Sequence, residues 1–117
     1  EELVRQKAQE LGATVEFFQS NSEGSIIDLL QTCSADTNGI LINPGALTHY
    51  GLALREALVD TGLPVIEVHI SNIYAREKWR HRSVIAPVSI AQISGLGWRG
   101  YLAALEFLTT TLKERSD

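Results

Sequence analysis

Residues 39–45 read GILINPG: an unbroken apolar run that stops at Asn43-Pro44-Gly45. A strand with one solvated face alternates apolar and polar residues, so a run without alternation belongs to a strand covered on both faces. The Asn-Pro-Gly end marks its exit into a loop. A second run of the same character, PVIEVH, occupies residues 64–69, and between the two Leu54, Ala57 and Leu58 keep helical spacing until Gly62 and Pro64 stop the helix. Strand, helix and buried strand in this order form the crossover unit of a parallel sheet.

The same alternation extends outward. Upstream, Val4, Ala8 and Leu11 repeat at helical spacing and Gly12 follows as a helix terminator. Residues 14–19, TVEFFQ, predict a short strand, and Ile26, Leu29, Leu30 and Cys33 form the stripe of a second helix. Downstream, a polar helical stretch is expected around residues 75–79, a strand at residues 89–94 (SIAQIS), and a last helix carrying Tyr101, Leu105, Leu108 and Leu112. The expected architecture is a single α/β domain over residues 1–117, a flavodoxin-like three-layer sandwich with a mostly parallel sheet and helices on both faces.

With 117 residues, 44% hydrophobic and 21% charged, the chain has the composition of one globular domain. A net charge of −4 supplies no basic footprint for nucleic acid or anionic lipid. The one cysteine, Cys33, has no internal disulfide partner and is read as a core residue, and no apolar stretch is long enough to span a bilayer. These features fit a soluble cytoplasmic protein without nucleic-acid or membrane partners.

Ligands of open parallel sheets bind beyond the carboxyl ends of the strands, which directs attention to Asn43 and His69 at the ends of the two apolar runs. Either residue also has a plain structural reading, as a turn former and as a strand-end histidine. Glu67 stands two residues before His69, so the strand period puts both side chains on one face, where the carboxylate can orient or charge the imidazole. Ser71 and Asn72 follow with short side chains and backbone N–H groups suited to a carboxylate. Arg76, Arg80 and Arg82 come next; an exposed charge run is ordinarily a solvated face, and only its nearness to Asn43 and His69 suggests more. His49 by itself reads as an exposed loop histidine, and Trp79 as a packing anchor.

Gly95, Gly97 and Gly100 satisfy the dinucleotide-binding glycine pattern between a strand and a helix. One helix follows and no later strand can present the acidic residue that holds the ribose, so these glycines are read as close-packing positions. Zinc-ligand spacing, a phosphate-loop lysine and a nucleophile elbow are absent from the sequence, and a phosphoreceiver domain would want aspartate where Asn43 stands. A nucleotide- or flavin-binding module is thus supported by the glycines alone.

Six segments in register, QSNSEG (19–24), INPGALTH (42–49), ALREAL (53–58), IEVHISN (66–72), AREKWRHRS (75–83) and GLGWRGY (95–101), resemble the type II 3-dehydroquinate dehydratases over nearly the whole chain. The resemblance implies reversible dehydration of 3-dehydroquinate to 3-dehydroshikimate in the shikimate pathway, through an enolate and without metal or other cofactor. It implies that His69 is the proton donor and that Asn43 helps hold the substrate. The backbone at Ile70 and Ser71 matches the carboxylate cradle, His49 and Arg80 match the groups that bind ring hydroxyls, and Glu67 and Arg76 fall in supporting positions. It also implies a homo-oligomer, a dodecamer built from trimers, with Glu56 near a subunit boundary as a substrate-binding residue, standing where many relatives carry an aspartate that reaches toward a neighbouring subunit's substrate.

The family pattern begins with a strand ending in an NGPNLN-like motif and continues through a mobile lid that brings an arginine and the tyrosine base. The chain has neither, so the domain is expected to be N-terminally incomplete, its catalytic base is not assigned to any residue here, and Tyr50 and Tyr74 do not occupy the lid position. That first strand would lie between residues 14–19 and 39–43, so two strand edges are expected to face an empty slot. The competing reading is a catalytically silent flavodoxin-like module that binds small carboxylic acids through Asn43, His69 and Arg80.

Overall fold

The computed structural model describes residues 1–33 and 35–116. Three parallel strands form one sheet in the order β1 (Ile40–Ile42), β2 (Val65–His69), β3 (Ala91–Ser94). β2 is central and all five of its residues are buried, which accounts for a run without solvent-facing alternation. The period of two still sorts its side chains. Val65 joins one core cluster while Ile66 and Val68 join the other, so Glu67 and His69 share the Val65 face.

On that face α2 (Glu23–Gln31) and α3 (Leu52–Thr61) pack Leu30, Leu54 and Leu58 against Ile42 and Val65, and Ile85 closes the cluster. On the opposite face α4 (Arg99–Ser116) lays Ala104 and Leu108 on Ile66 and Val68. α1 (Glu2–Leu11) lies against α4, where Lys7 pairs with Glu106 at 3.5 Å. The result is the three-layer α/β arrangement read from the alternation of elements. Cys33 is half-buried and packs against the first cluster, in agreement with its reading as a small core residue.

Local chemistry fixes the element ends. α1 terminates at Gly12 in the left-handed conformation, φ 75°. α3 begins beside Gly51, where an added Cβ would lie 2.7 Å from the Leu47 carbonyl oxygen and 3.1 Å from Glu23 Oε2. The Glu23 carboxylate occupies that space because it accepts a hydrogen bond from the Leu54 N–H at 3.1 Å, which satisfies an otherwise orphan donor in the first turn of α3. One acidic side chain thereby joins α2 to α3. The glycine pattern between β3 and α4 also has a packing cause, since a Cβ at Gly100 would stand 3.3 Å from Val68 Cγ1 and 3.5 Å from Ile93 Cγ2.

Three expectations are corrected. Residues 14–19 do not form a strand: Val15 and Phe17 are half-buried and Thr14, Glu16 and Phe18 exposed, so the alternation persists, but no ladder accompanies it among the described residues. Alternation reports that a segment has two faces; a strand also needs a backbone partner, and among the described residues β1 pairs with β2 alone. Residues 75–79 are not a continuous helix. Two 3₁₀ turns, Ile73–Ala75 and Lys78–His81, flank an extended Arg76 (φ −105°, ψ −171°), the first turn being started by the Asn72 side chain, which accepts from the Tyr74 N–H at 3.0 Å. Trp79 is 57% exposed and anchors no core; it meets His49 edge-on at 5.2 Å and lies under the Arg80 guanidinium at 4.4 Å.

Candidate active site

Asn43 follows β1 directly and His69 ends β2, so both sit at the carboxyl rim of the sheet. A cavity of about 300 Å³ opens there, with Asn43, His49, His69, Ile70, Ser71, Arg76 and Arg80 in its wall beside Gly45, Ala46 and Ile73. Residues spread from position 43 to position 80 thus converge on one hollow. Glu67 lies behind His69, and Glu56 is exposed on α3, outside the cavity wall. A hollow of about 430 Å³ between Asn38, Leu112, Lys113 and Ser116 lies at the other end of β1, and with one ionisable group it offers no acid–base pair.

The centre of the site is the pair formed by two residues of β2. Glu67 is fully buried and His69 nearly so, and Glu67 Oε2 lies 2.6 Å from His69 Nε2. A buried charge is tolerated only when it is paired and its remaining lone pairs are occupied. Here they are. Oε2 also accepts from the Thr48 hydroxyl, Oε1 accepts from Gln92 Nε2 at 3.2 Å, and the Ser83 hydroxyl stands 2.9 Å from both oxygens. Burial pushes the Glu67 carboxyl up, but the bonds from His69, Thr48 and Ser83 and the imidazole charge outweigh it and hold the group below its ordinary value. A carboxylate that accepts at Nε2 sets the imidazole with Nε2–H toward Glu67 and leaves Nδ1 for proton exchange, with an anionic partner for any positive charge on the ring.

The wall groups are held in turn by local bonds. Asn43 Oδ1 accepts from the Gly45 N–H at 3.1 Å, the turn expected of Asn-Pro-Gly, and its Nδ2 donates to the Tyr101 hydroxyl at 3.1 Å. His49 Nδ1 lies 2.7 Å from the Arg82 carbonyl, which can only accept, so Nδ1 carries a hydrogen and Nε2 is not used by this bond. Arg80 Nε approaches Glu77 Oε2 at 2.5 Å without the alignment of a hydrogen bond, and Arg76 carries no ion pair among the described residues. The backbone after His69 is pinned where Gly97 N–H donates to the Ile70 carbonyl at 2.9 Å and the Ser94 hydroxyl to the Ser71 carbonyl at 3.1 Å. The cavity wall therefore presents two arginines and two histidines and no acidic side chain, a field suited to an organic acid.

Sequence reasoning did not find Thr48, Ser83, Gln92 or Tyr101. Gln92 faces Glu67 because the two are register partners across β2 and β3, information that neither strand carries alone. Thr48 sits inside the apolar-looking GALTH turn, and no local pattern in the sequence distinguishes it or Ser83.

Comparison with known proteins identifies the family. The model of the family "Dehydroquinase class II" matches residues 1–109. A 3-dehydroquinate dehydratase of Roseiflexus castenholzii is 58% identical over 109 residues, which are 93% of this chain and 69% of the relative. One from Herpetosiphon aurantiacus is 54% identical over 104 residues, 89% of this chain and 72% of the relative. The crystal structure of type II dehydroquinase from Propionibacterium acnes superposes with a TM-score of 0.87 at 41% identity, covering 93% of this chain and 75% of that one. The chain belongs to the class II dehydroquinase family.

Proposed function

We infer that this protein is a 3-dehydroquinate dehydratase, a lyase that removes water from 3-dehydroquinate. The observation that carries the reading is a strand-end cavity in which His69, backed by the buried Glu67 carboxylate, meets Arg76 and Arg80 with no acid in the wall. A base takes the proton from the carbon beside the ketone, and the negative charge spreads onto the carbonyl oxygen as an enolate. The enolate then collapses, expelling the hydroxyl from the carbon that bears the carboxylate. His69, presenting Nδ1–H as imidazolium, protonates that hydroxyl so that it leaves as water, and the charge lost by the ring is the one Glu67 had balanced.

The substrate carboxylate rests on the backbone at Ile70 and Ser71, while Asn43, His49 Nε2 and Arg80 orient the ring through its hydroxyls, with Arg76 in a supporting position. No tyrosine lines the cavity among the described residues: Tyr50 and Tyr74 are exposed and Tyr101 is engaged with Asn43. The proton-abstracting base is not assigned to any of the described residues. Glu56, exposed on α3 beside exposed Leu52 and Val59, is assigned to a contact between subunits of a dodecamer built from trimers, working in the cytoplasm on the shikimate route.

Calorimetric titration with 3-dehydroquinate tests the site. Saturable one-site binding is expected, weakened by about 10- to 100-fold in Arg80→Ala, the loss of one or two charge-assisted hydrogen bonds. Equal affinity of the two proteins would remove Arg80 from the site, and no binding by either would remove the substrate assignment.

A further inference from the structure

The Glu67 carboxylate is reached from three separate pieces of the cavity wall. Thr48 comes from the turn after β1 that also carries Asn43 and His49, His69 from the end of β2, and Ser83 from the return of the segment that carries Arg76 and Arg80. Two direct hydrogen bonds join the outer two pieces: Val84 N–H donates to the Thr48 carbonyl at 2.7 Å, and the His49 side chain donates through Nδ1 to the Arg82 carbonyl at 2.7 Å.

Valence fixes the part that Ser83 plays. A serine hydroxyl has one hydrogen and two lone pairs. The N–H groups of Ile85 and Ala86 donate to Ser83 Oγ at 3.0 and 2.9 Å and occupy both lone pairs. Its only hydrogen has its nearest acceptors on Glu67, whose two carboxylate oxygens lie equally near at 2.9 Å, with the Thr48 hydroxyl oxygen farther off at 3.4 Å. The two shortest contacts open to that hydrogen are both on Glu67, so the carboxylate is positioned by the same atom that sets the arginine segment.

We propose that Ser83, seconded by Thr48, is a positioning residue: it locks Glu67 against His69 and ties the segment bearing Arg80 to that pair, so that the acid and the substrate-binding arginine are placed by one junction. Ser83 touches no ligand and acts through Glu67. The alternative is that its hydroxyl merely caps the 3₁₀ turn Ala86–Val88 through the Ile85 and Ala86 N–H groups, a purely structural service.

The test compares Ser83→Ala, Ser83→Thr, Thr48→Val, Glu67→Gln and the double variant Ser83→Ala/Glu67→Gln, with thermal midpoints recorded for each. For turnover, which rests on the dehydratase reading, Ser83→Ala is expected to lower kcat about 10-fold or more with a smaller change in KM, and Ser83→Thr, which keeps the oxygen, to restore it to within about 3-fold. In the Glu67→Gln background Ser83→Ala should add less than about 2-fold, because a residue that acts through Glu67 has nothing left to act on. Full additivity would overturn the proposal.

A second readout is independent of catalysis. The ring-nitrogen resonances of His69, in protein labelled with ¹⁵N-histidine and without substrate, should move in Ser83→Ala and in Thr48→Val and return in Ser83→Thr. A capping role would lower the thermal midpoint and leave those resonances in place, which would also overturn the proposal. If no turnover occurs at all, the dehydratase reading fails while the ring resonances still decide whether the junction exists.

Discussion

Glutamate in the middle of a buried central strand is a costly residue, and its surroundings decide whether it harms or helps the fold. With its bonds from His69, Thr48 and Ser83, the Glu67 carboxyl is held below the ordinary value of 4.5. The unfolded chain therefore takes up the proton first as the pH falls, and stability gained from this group is present above about 4.5 and lost as the pH drops toward the depressed folded value. Glu67→Gln should flatten that acid-side loss, seen as urea midpoints that vary less with pH below this range than those of the unaltered protein. Equal slopes would mean that another carboxyl governs acid unfolding. His69 and Glu67 were legible in the sequence because residues two apart on a strand share a face, a purely local rule. Thr48 and Ser83 were not, since they lie 19 and 16 positions from Glu67 and meet it only after the turn and the arginine segment have folded back.

At the scale of elements, the strands at 40–42 and 65–69 and the four helices follow from periodicity and stop signals, because burial on both faces and helical stripes are written in consecutive residues. The failures share a cause. Residues 14–19 have the alternation of a strand, but pairing depends on a neighbour that alternation cannot name. Residues 75–79 have the polarity of a surface helix, yet the Asn72 side chain and the extended Arg76 leave two short turns in its place. Those turns place Arg76 and Arg80 in the cavity wall. The join between α2 and α3 gives a prediction of its own: Gly51→Ala drives a methyl group against the Leu47 carbonyl and the Glu23 carboxylate. It should cost roughly 1–3 kcal/mol in urea unfolding, the usual penalty of overpacking. A cost near zero would show that Glu23 can leave the start of α3 freely.

Over the whole molecule, two layers of helix close on a thin sheet, and the first core cluster supports β1 and β2 directly beneath the site. Leu58→Ala, at a fully buried position of that cluster, should lower stability by about 2–5 kcal/mol in denaturant unfolding. Leu52 and Val59, 61% and 55% exposed on α3 near Glu56, lie on the face assigned to subunit contact. Sedimentation equilibrium should then give a mass that is a multiple of three chains, and a monomer at all concentrations would refute that assignment. Delivery of the proton by His69 in dehydration of 3-dehydroquinate can be followed through the rise in ultraviolet absorbance of the conjugated enone, recorded for the protein and for His69→Ala. The unaltered protein should form the enone, with a loss of about 10²-fold or more in His69→Ala and substrate binding retained. Binding of 3-dehydroquinate without any enone, or undiminished turnover by His69→Ala, would contradict that role of His69.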